Sequence, residues 1–130
     1  MDFVNFDLAK KLKDFGYNIP FFFFYRTDDQ LIHHAMVSKP LVYGENVDNE
    51  VVIAPTISQV LKWLRDEKKM HMEIFLYNGT YSYFVKDITQ ICKDDLFHIC
   101  LNEDTVNEEY DTYEQATIAG IEYILDNLIS

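Results

Sequence analysis

An α+β fold with antiparallel sheet follows from three features of this 130-residue chain. Two T-x-x-Q boxes, Thr56–Gln59 and Thr112–Gln115, each stand before an apolar stripe of helical spacing. Asn78-Gly79 sits between two alternating runs, the pattern of a two-residue hairpin. A five-residue aromatic run, Phe21 to Tyr25, has the bulk of a buried strand. With 48% apolar and 15% aromatic residues, such a chain fills a core as one domain over 1–130 without disulfides or metal. The expected order is roughly α-β-β-(β)-α-β-β-(β)-α, with about three helices packed on an antiparallel sheet built from hairpins.

Asn5 is a suitable cap for the first helix, and Asp7 sits in its first turn, where the dipole favours an anion. Leu8, Ala9, Leu12 and Phe15 then share one face, and Gly16 is the expected stop. After Pro20 the aromatic run forms a strand buried on both faces. Thr27-Asp28-Asp29-Gln30 is turn chemistry, and Leu31 to Val37 returns as the second strand. A loop over 38–50 leads to a short strand at Val51-Val52-Ile53.

In the second helix Ile57, Val60, Leu61 and Leu64 form the expected buried stripe, Trp63 lies on its flank, and Lys68-Lys69 closes it. The Asn-Gly turn then sets Leu76 opposite Tyr81, Ile74 opposite Tyr83 and Met72 opposite Val85, all on one core-facing side. The other side carries His71, Glu73, Phe75, Ser82, Phe84 and Lys86. The greasy sides of this hairpin and of the second helix are expected to share an interior. Leu96 to Leu101 reads as another strand, followed by an acidic loop over 102–111. The last helix aligns Tyr113, Ala116, Thr117, Gly120, Ile121, Ile124 and Leu128, and a mid-helix glycine points to a close packing contact.

Charge is distributed unevenly. Residues 1–93 hold all 11 Lys and Arg against 12 Asp and Glu, whereas residues 94–130 hold 10 acids and no Lys or Arg, giving the net −11. Phosphate contact needs cations, so the last third is unsuited to gripping nucleic acid directly. A solvated acidic face is the ordinary explanation. A surface for a basic partner, or one that imitates DNA, is the sharper one. No stretch has the length and apolarity of a membrane span, and the first residues lack the pattern of a secretory signal, so a soluble cytoplasmic protein is expected.

The chemistry-bearing residues give little. His33 and His34 are neighbours on a strand and point to opposite faces, which is poor for chelation. Cys92, His98 and Cys100 form C-x5-H-x-C, with His98 and Cys100 on one face of a strand; a three-ligand metal site there is the weaker reading, and free thiols the plainer one. Asp28-Asp29 and Asp94-Asp95 are adjacent acids of the kind that water solvates in turns. No P-loop, Gly-x-Ser-x-Gly, His-Glu-x-x-His or dinucleotide fingerprint is present. Neither catalytic residues, a metal site nor a cofactor is expected.

The candidate partner-binding residues are Trp63, Phe75, Phe84, Glu103, Asp104, Glu108, Glu109 and Asp111. For Trp63 the ordinary role is packing at the core edge. Phe75 and Phe84, on the outer side of the hairpin, are either covered by another element or form an apolar patch for a partner, including a second copy of the chain.

Ala54-Pro55-Thr56, Gln59, Lys62-Trp63-Leu64-Arg65 with Glu67, His71-Met72-Glu73-Ile74, Tyr81-Ser82-Tyr83 and Tyr110 to Ala116 with Ala119-Gly120-Ile121 together resemble a family of small proteins of unknown function from phages and prophages of gut Bacteroidetes. These pieces cover about half of the chain and are architectural; Gln90 to Asn107 lies outside the pattern. The resemblance implies a phage-related origin and supplies no activity. The function that follows is a non-enzymatic accessory protein of a mobile element that binds another protein. Its rivals are an acidic DNA mimic acting on a host DNA-binding protein, and a small enzyme or ligand binder whose site assembles only in the fold.

Overall fold

Asn5 opens the first helix in the way its short polar side chain allows: Oδ1 accepts the Leu8 N–H at 2.8 Å. The computed structural model describes residues 2–26, 31–33, 39–47, 50–91 and 98–129. It divides into two compact units, Met1–Val60 and Leu61–Ser130. An α+β architecture with antiparallel sheets is present, in the expected order.

In the first unit α1 (Phe6–Asp14) buries Leu8, Ala9 and Leu12 and ends at Gly16, whose φ of +89° only glycine adopts without strain. Each such leucine contributes about 2 kcal/mol through burial. The aromatic run supplies β1 (Phe23–Tyr25), the centre of a three-stranded sheet with β2 (Leu31–His33) on one side and β3 (Val52–Ile53) on the other. Phe24 pairs with both Ile32 and Ile53, so the sheet is antiparallel throughout. Phe24, Leu41, Val51 and Ile53 form a buried cluster, with Phe21, Ile32, Tyr43 and Val47 packed around it. Phe21, Phe22 and Phe23 are only half-buried, so the run is interior at one end rather than along its length. The buried Tyr25 donates to the Val4 carbonyl at 2.6 Å, and the half-buried Tyr43 hydroxyl accepts the Ile53 N–H at 2.6 Å, so both tyrosines keep a polar partner. The turn 27–30 and the return strand beyond His33 lie outside the described residues.

Helix α2 (Ile57–Glu67) begins at the expected reciprocal box: Gln59 Oε1 accepts the Thr56 N–H at 2.8 Å, and Thr56 Oγ1 accepts the Gln59 N–H at 3.2 Å. Its buried stripe is Val60, Trp63 and Leu64, while Ile57 and Leu61 are half-buried. The buried face is thus turned toward Trp63 from the stripe that apolarity alone defines. An indole offers more area to bury than an isoleucine, which accounts for the rotation.

The second unit is built on a hairpin. Strands β4 (Met70–Tyr77) and β5 (Thr80–Ile91) meet in the register that the two-residue turn dictates, with Leu76 opposite Tyr81, Ile74 opposite Tyr83 and Met72 opposite Val85. Asn78 and Gly79 have φ of +53° and +82°, as a type I′ turn requires. Helix α3 (Tyr113–Tyr123) carries the second reciprocal box and packs on one face of this hairpin. Gly120 makes the approach possible: a Cβ there would stand 2.0 Å from Met72 Sδ and 3.1 Å from Tyr83 Cγ. Tyr83 and Val85 are fully buried on this face, Ala116, Thr117, Gly120 and Ile121 are buried opposite them, and a π-helical turn, Ile124–Leu128, extends the helix. Two residues depart from the expected core. Leu76, at the hairpin tip, is 62% exposed, and Tyr113, in the first turn of α3, is 51% exposed.

The far side of β5 is completed piecewise. β6 (His98–Cys100) pairs at Lys86–Cys100, and the Leu101 N–H reaches the Val85 carbonyl at 2.8 Å. Asn102 then substitutes a side chain for a strand: its Oδ1 accepts the Val85 N–H at 2.8 Å and its Nδ2 donates to the Tyr83 carbonyl at 2.9 Å. Tyr110 resumes with backbone, exchanging two 2.8 Å bonds with Tyr81. Among the described residues no helix is long and apolar enough to cross a membrane.

Candidate functional site

The outer face of the hairpin, opposite α3, is set by strand parity: residues 71, 73, 75 and 77 of β4 lie beside 86, 84, 82 and 80 of β5. Its lower half is polar. Lys86 Nζ bonds Glu73 Oε1 at 2.9 Å, His71 Nε2 lies 3.5 Å from the same oxygen, and Lys86 stands 6.0 Å above the Phe84 ring. The hydrogen bond from Lys86 holds the Glu73 carboxyl below its ordinary range.

Toward the tip the segment 102–110 folds over this face. Ser82 Oγ donates to the Val106 carbonyl at 2.9 Å, which leaves Ser82 buried. The Tyr81–Tyr110 bridge anchors the far end, and successive turns, Thr105 N–H to Asn102 and Glu108 N–H to Thr105, both at 3.0 Å, shape the middle. Tyr83 donates to Thr105 Oγ1 at 2.8 Å and ties the same turn to the core side. Between the turn and the hairpin runs a groove of about 200 Å³, lined by Phe75, Tyr77, Thr80, Ser82, Val106, Asn107 and Glu109. Phe75 and Tyr77 are 38% and 67% exposed.

Two of the candidate residues, Phe75 and Glu109, come together at this groove. Glu109 has no ion-pair partner among the described residues. Asp104 accepts the Tyr123 hydroxyl at 2.7 Å, and Glu108 accepts the Tyr110 hydroxyl at 2.9 Å. The carboxylate of Asp104 pushes the Tyr123 hydroxyl up to about 12, and burial, then Glu108, raises that of Tyr110. Glu103 and Asp111 are exposed and do not line the groove. Phe84 is half-buried beneath Lys86. Trp63, only 5% exposed, packs inward and is not a surface anchor. Of the other groove residues, Ser82 shares the outer side with Phe75 in the expected register, and the same strand parity extends that side to Tyr77 and Thr80. Val106 and Asn107 gave no such signal, because they arrive through long-range pairing.

Among the described residues, neither His nor Cys lines the groove. Its volume falls below the roughly 300–1,000 Å³ of ordinary small-molecule pockets and suits a single side chain. Its chemistry is an aromatic wall, three hydroxyls, an amide and a carboxylate, a set that favours a cation with an apolar stem. Among the described residues no three His, Cys, Asp or Glu side chains gather as a metal site. Cys100 is a free thiol whose Sγ lies 3.5 Å from Asn102 Oδ1; Cys92, His34, Asp94-Asp95 and the side chains of His33 and His98 lie outside the described residues. Comparison of the chain with protein-family models, with curated proteins and with solved structures finds no match.

Proposed function

We propose that this chain is a non-enzymatic protein that acts by binding another protein, and that a Lys or Arg side chain of the partner seats in the groove between the hairpin and the 102–110 turn. The observation that carries this is Glu109, a carboxylate with no ion pair among the described residues, set across from the exposed rings of Phe75 and Tyr77. A guanidinium or ammonium gains there from the ring faces and from a charge-assisted hydrogen bond, while its methylenes cover apolar surface. The net −11 adds long-range attraction for a basic segment. The resemblance to phage and prophage proteins supports taking the partner as a protein of the mobile element or of its host.

The test is a fluorescence-anisotropy titration with a labelled Arg-Ala repeat peptide and a Glu-Ala control. The wild type should bind the basic peptide alone, with affinity that falls as salt rises. Glu109→Gln should weaken binding about tenfold, the low end for a hydrogen bond to a charged group. Equal binding by wild type and Glu109→Gln would remove the groove as the recognition site.

A further inference from the structure

β4 is an edge strand: among the described residues it pairs with β5 alone, in the order β4-β5-β6. The two-residue turn decides which of its backbone groups are spent. Residues 77 and 80 flank the turn as a hydrogen-bonded pair, so 75, 73 and 71 also bond inward to β5. The same alternation turns residues 81, 83 and 85 of β5 the other way, and those are the residues bonded to Tyr110, Asn102 and Leu101. Met72, Ile74 and Leu76 therefore direct their N–H and C=O groups outward from the free side of β4, where no described strand meets them.

Natural sheet edges are blunted by Lys, Pro, bulges or brevity. β4 spans eight residues, contains no Lys, Arg, Pro or Gly, and keeps an unbroken register with β5. The opposite edge, by contrast, is a three-residue strand with a register shift. The end of β4 is also its most exposed apolar part, with Phe75 at 38%, Leu76 at 62% and Tyr77 at 67%. Charge complementarity bears on what covers it. Although the chain is strongly negative, the segment 69–91 is neutral, Lys69 and Lys86 balancing Glu73 and Asp87. At short range a basic segment finds no surplus of acids to pair with along this edge, and a like edge meets no like charge there.

We propose that β4 pairs antiparallel with β4 of a second copy of this chain, across a two-fold axis at Ile74. That register sets Ile74 opposite itself and Met72 opposite Leu76 in both directions, and each such pair exchanges two backbone hydrogen bonds. On the outer face Glu73 comes to lie opposite Phe75. Neighbouring registers are worse. An axis at Glu73 opposes two carboxylates, and one at Met72 leaves Leu76 and Tyr77 beyond the strand pair. The result is a continuous sheet through both copies, closed by symmetry. The acids of residues 94–130 still repel at longer range, so dimerisation strengthens as salt screens them.

The experiment is sedimentation equilibrium of the full chain over a range of concentrations, at low and high salt, on the wild type, Leu76→Lys and Glu109→Gln. Leu76 is exposed and lies off the groove, so its lysine variant keeps the fold, checked by far-UV circular dichroism, and keeps the basic-peptide binding. The expected result is a concentration-dependent wild-type dimer, favoured by salt, whose dissociation constant rises about tenfold or more in Leu76→Lys and is unchanged in Glu109→Gln. A monomer at every concentration, or a dimer indifferent to Leu76→Lys, overturns the proposal. Peptide binding fails separately, in Glu109→Gln alone, so the two proposals stand or fall apart.

Discussion

Replacing Asn102 with alanine should be among the most damaging single substitutions in the second unit, although it removes no apolar surface of note. Asn102 is fully buried, and its amide is the partner of two backbone groups of β5, the Val85 N–H at 2.8 Å and the Tyr83 carbonyl at 2.9 Å. Alanine leaves both without a partner. Val85 and Tyr83 are themselves fully buried, which keeps water from taking over. A buried polar group left unsatisfied costs about 1–3 kcal/mol, so the pair predicts a loss of roughly 2–6 kcal/mol. Against a typical domain stability of about 5–15 kcal/mol, that is a large fraction. Urea denaturation followed by far-UV circular dichroism is the assay; with a slope of about 1–3 kcal/mol per molar urea, the midpoint should fall by about 1 M or more. Asn102→Asp keeps an acceptor for Val85 but offers no donor to Tyr83 once ionised, so it should recover stability on acidification, whereas Asn102→Ala should show no such recovery. A loss below about 0.5 kcal/mol in Asn102→Ala would refute the assignment of the side chain as a strand substitute, since ordinary surface changes fall in that range.

Other perturbations read different parts of the fold. Gly120→Ala gains about 1 kcal/mol of helix propensity but must displace Met72 and press on the Tyr83 ring, an overpacking penalty of about 1–3 kcal/mol; thermal unfolding should show a net loss, and a double-mutant cycle with Met72→Ala should show coupling between the two positions. The Glu73 carboxyl is depressed by Lys86, so its contribution is present above the unfolded value near 4.3 and is lost as pH falls through the folded value. Because Glu73 is 54% exposed, Glu73→Gln should lower stability at neutral pH by less than about 1 kcal/mol, and less in high salt; a larger loss would mean the pair is shielded from solvent. The Tyr123 hydroxyl, raised by Asp104, gives a contribution that is intact below the unfolded value near 10 and is lost as pH rises through about 12. Asp104→Asn should bring its ionisation down in a tyrosinate absorbance titration, and an unshifted curve would argue against the Tyr123–Asp104 contact.

Much of the fold was legible because the deciding forces are local. Asn78-Gly79 sets the hairpin register, since few other pairs accept two positive φ values in succession, and the register then assigns every side chain of β4 and β5 to a face. The two capping boxes place their helix starts for the same reason: each donor and acceptor lies within three residues of its partner. The candidate site was legible only in part. Phe75 was placed on the outer face by parity and Glu109 in the acidic loop by composition, but nothing in either stretch joined them. The bonds of Ser82 to Val106 and of Tyr81 to Tyr110 did that.

From its sequence alone the protein is determined as an α+β chain with one firm hairpin, capped helices and a negative last third. Tertiary structure decided that Trp63 turns inward, that Leu76 stays in water, and that Asn102 stands in for a missing strand. The difference is physical. Turn and cap preferences act between neighbours and leave a pattern in the chain, whereas a distant side chain that satisfies a backbone group leaves no periodicity, and its role exists only once β5 presents the groups that need it.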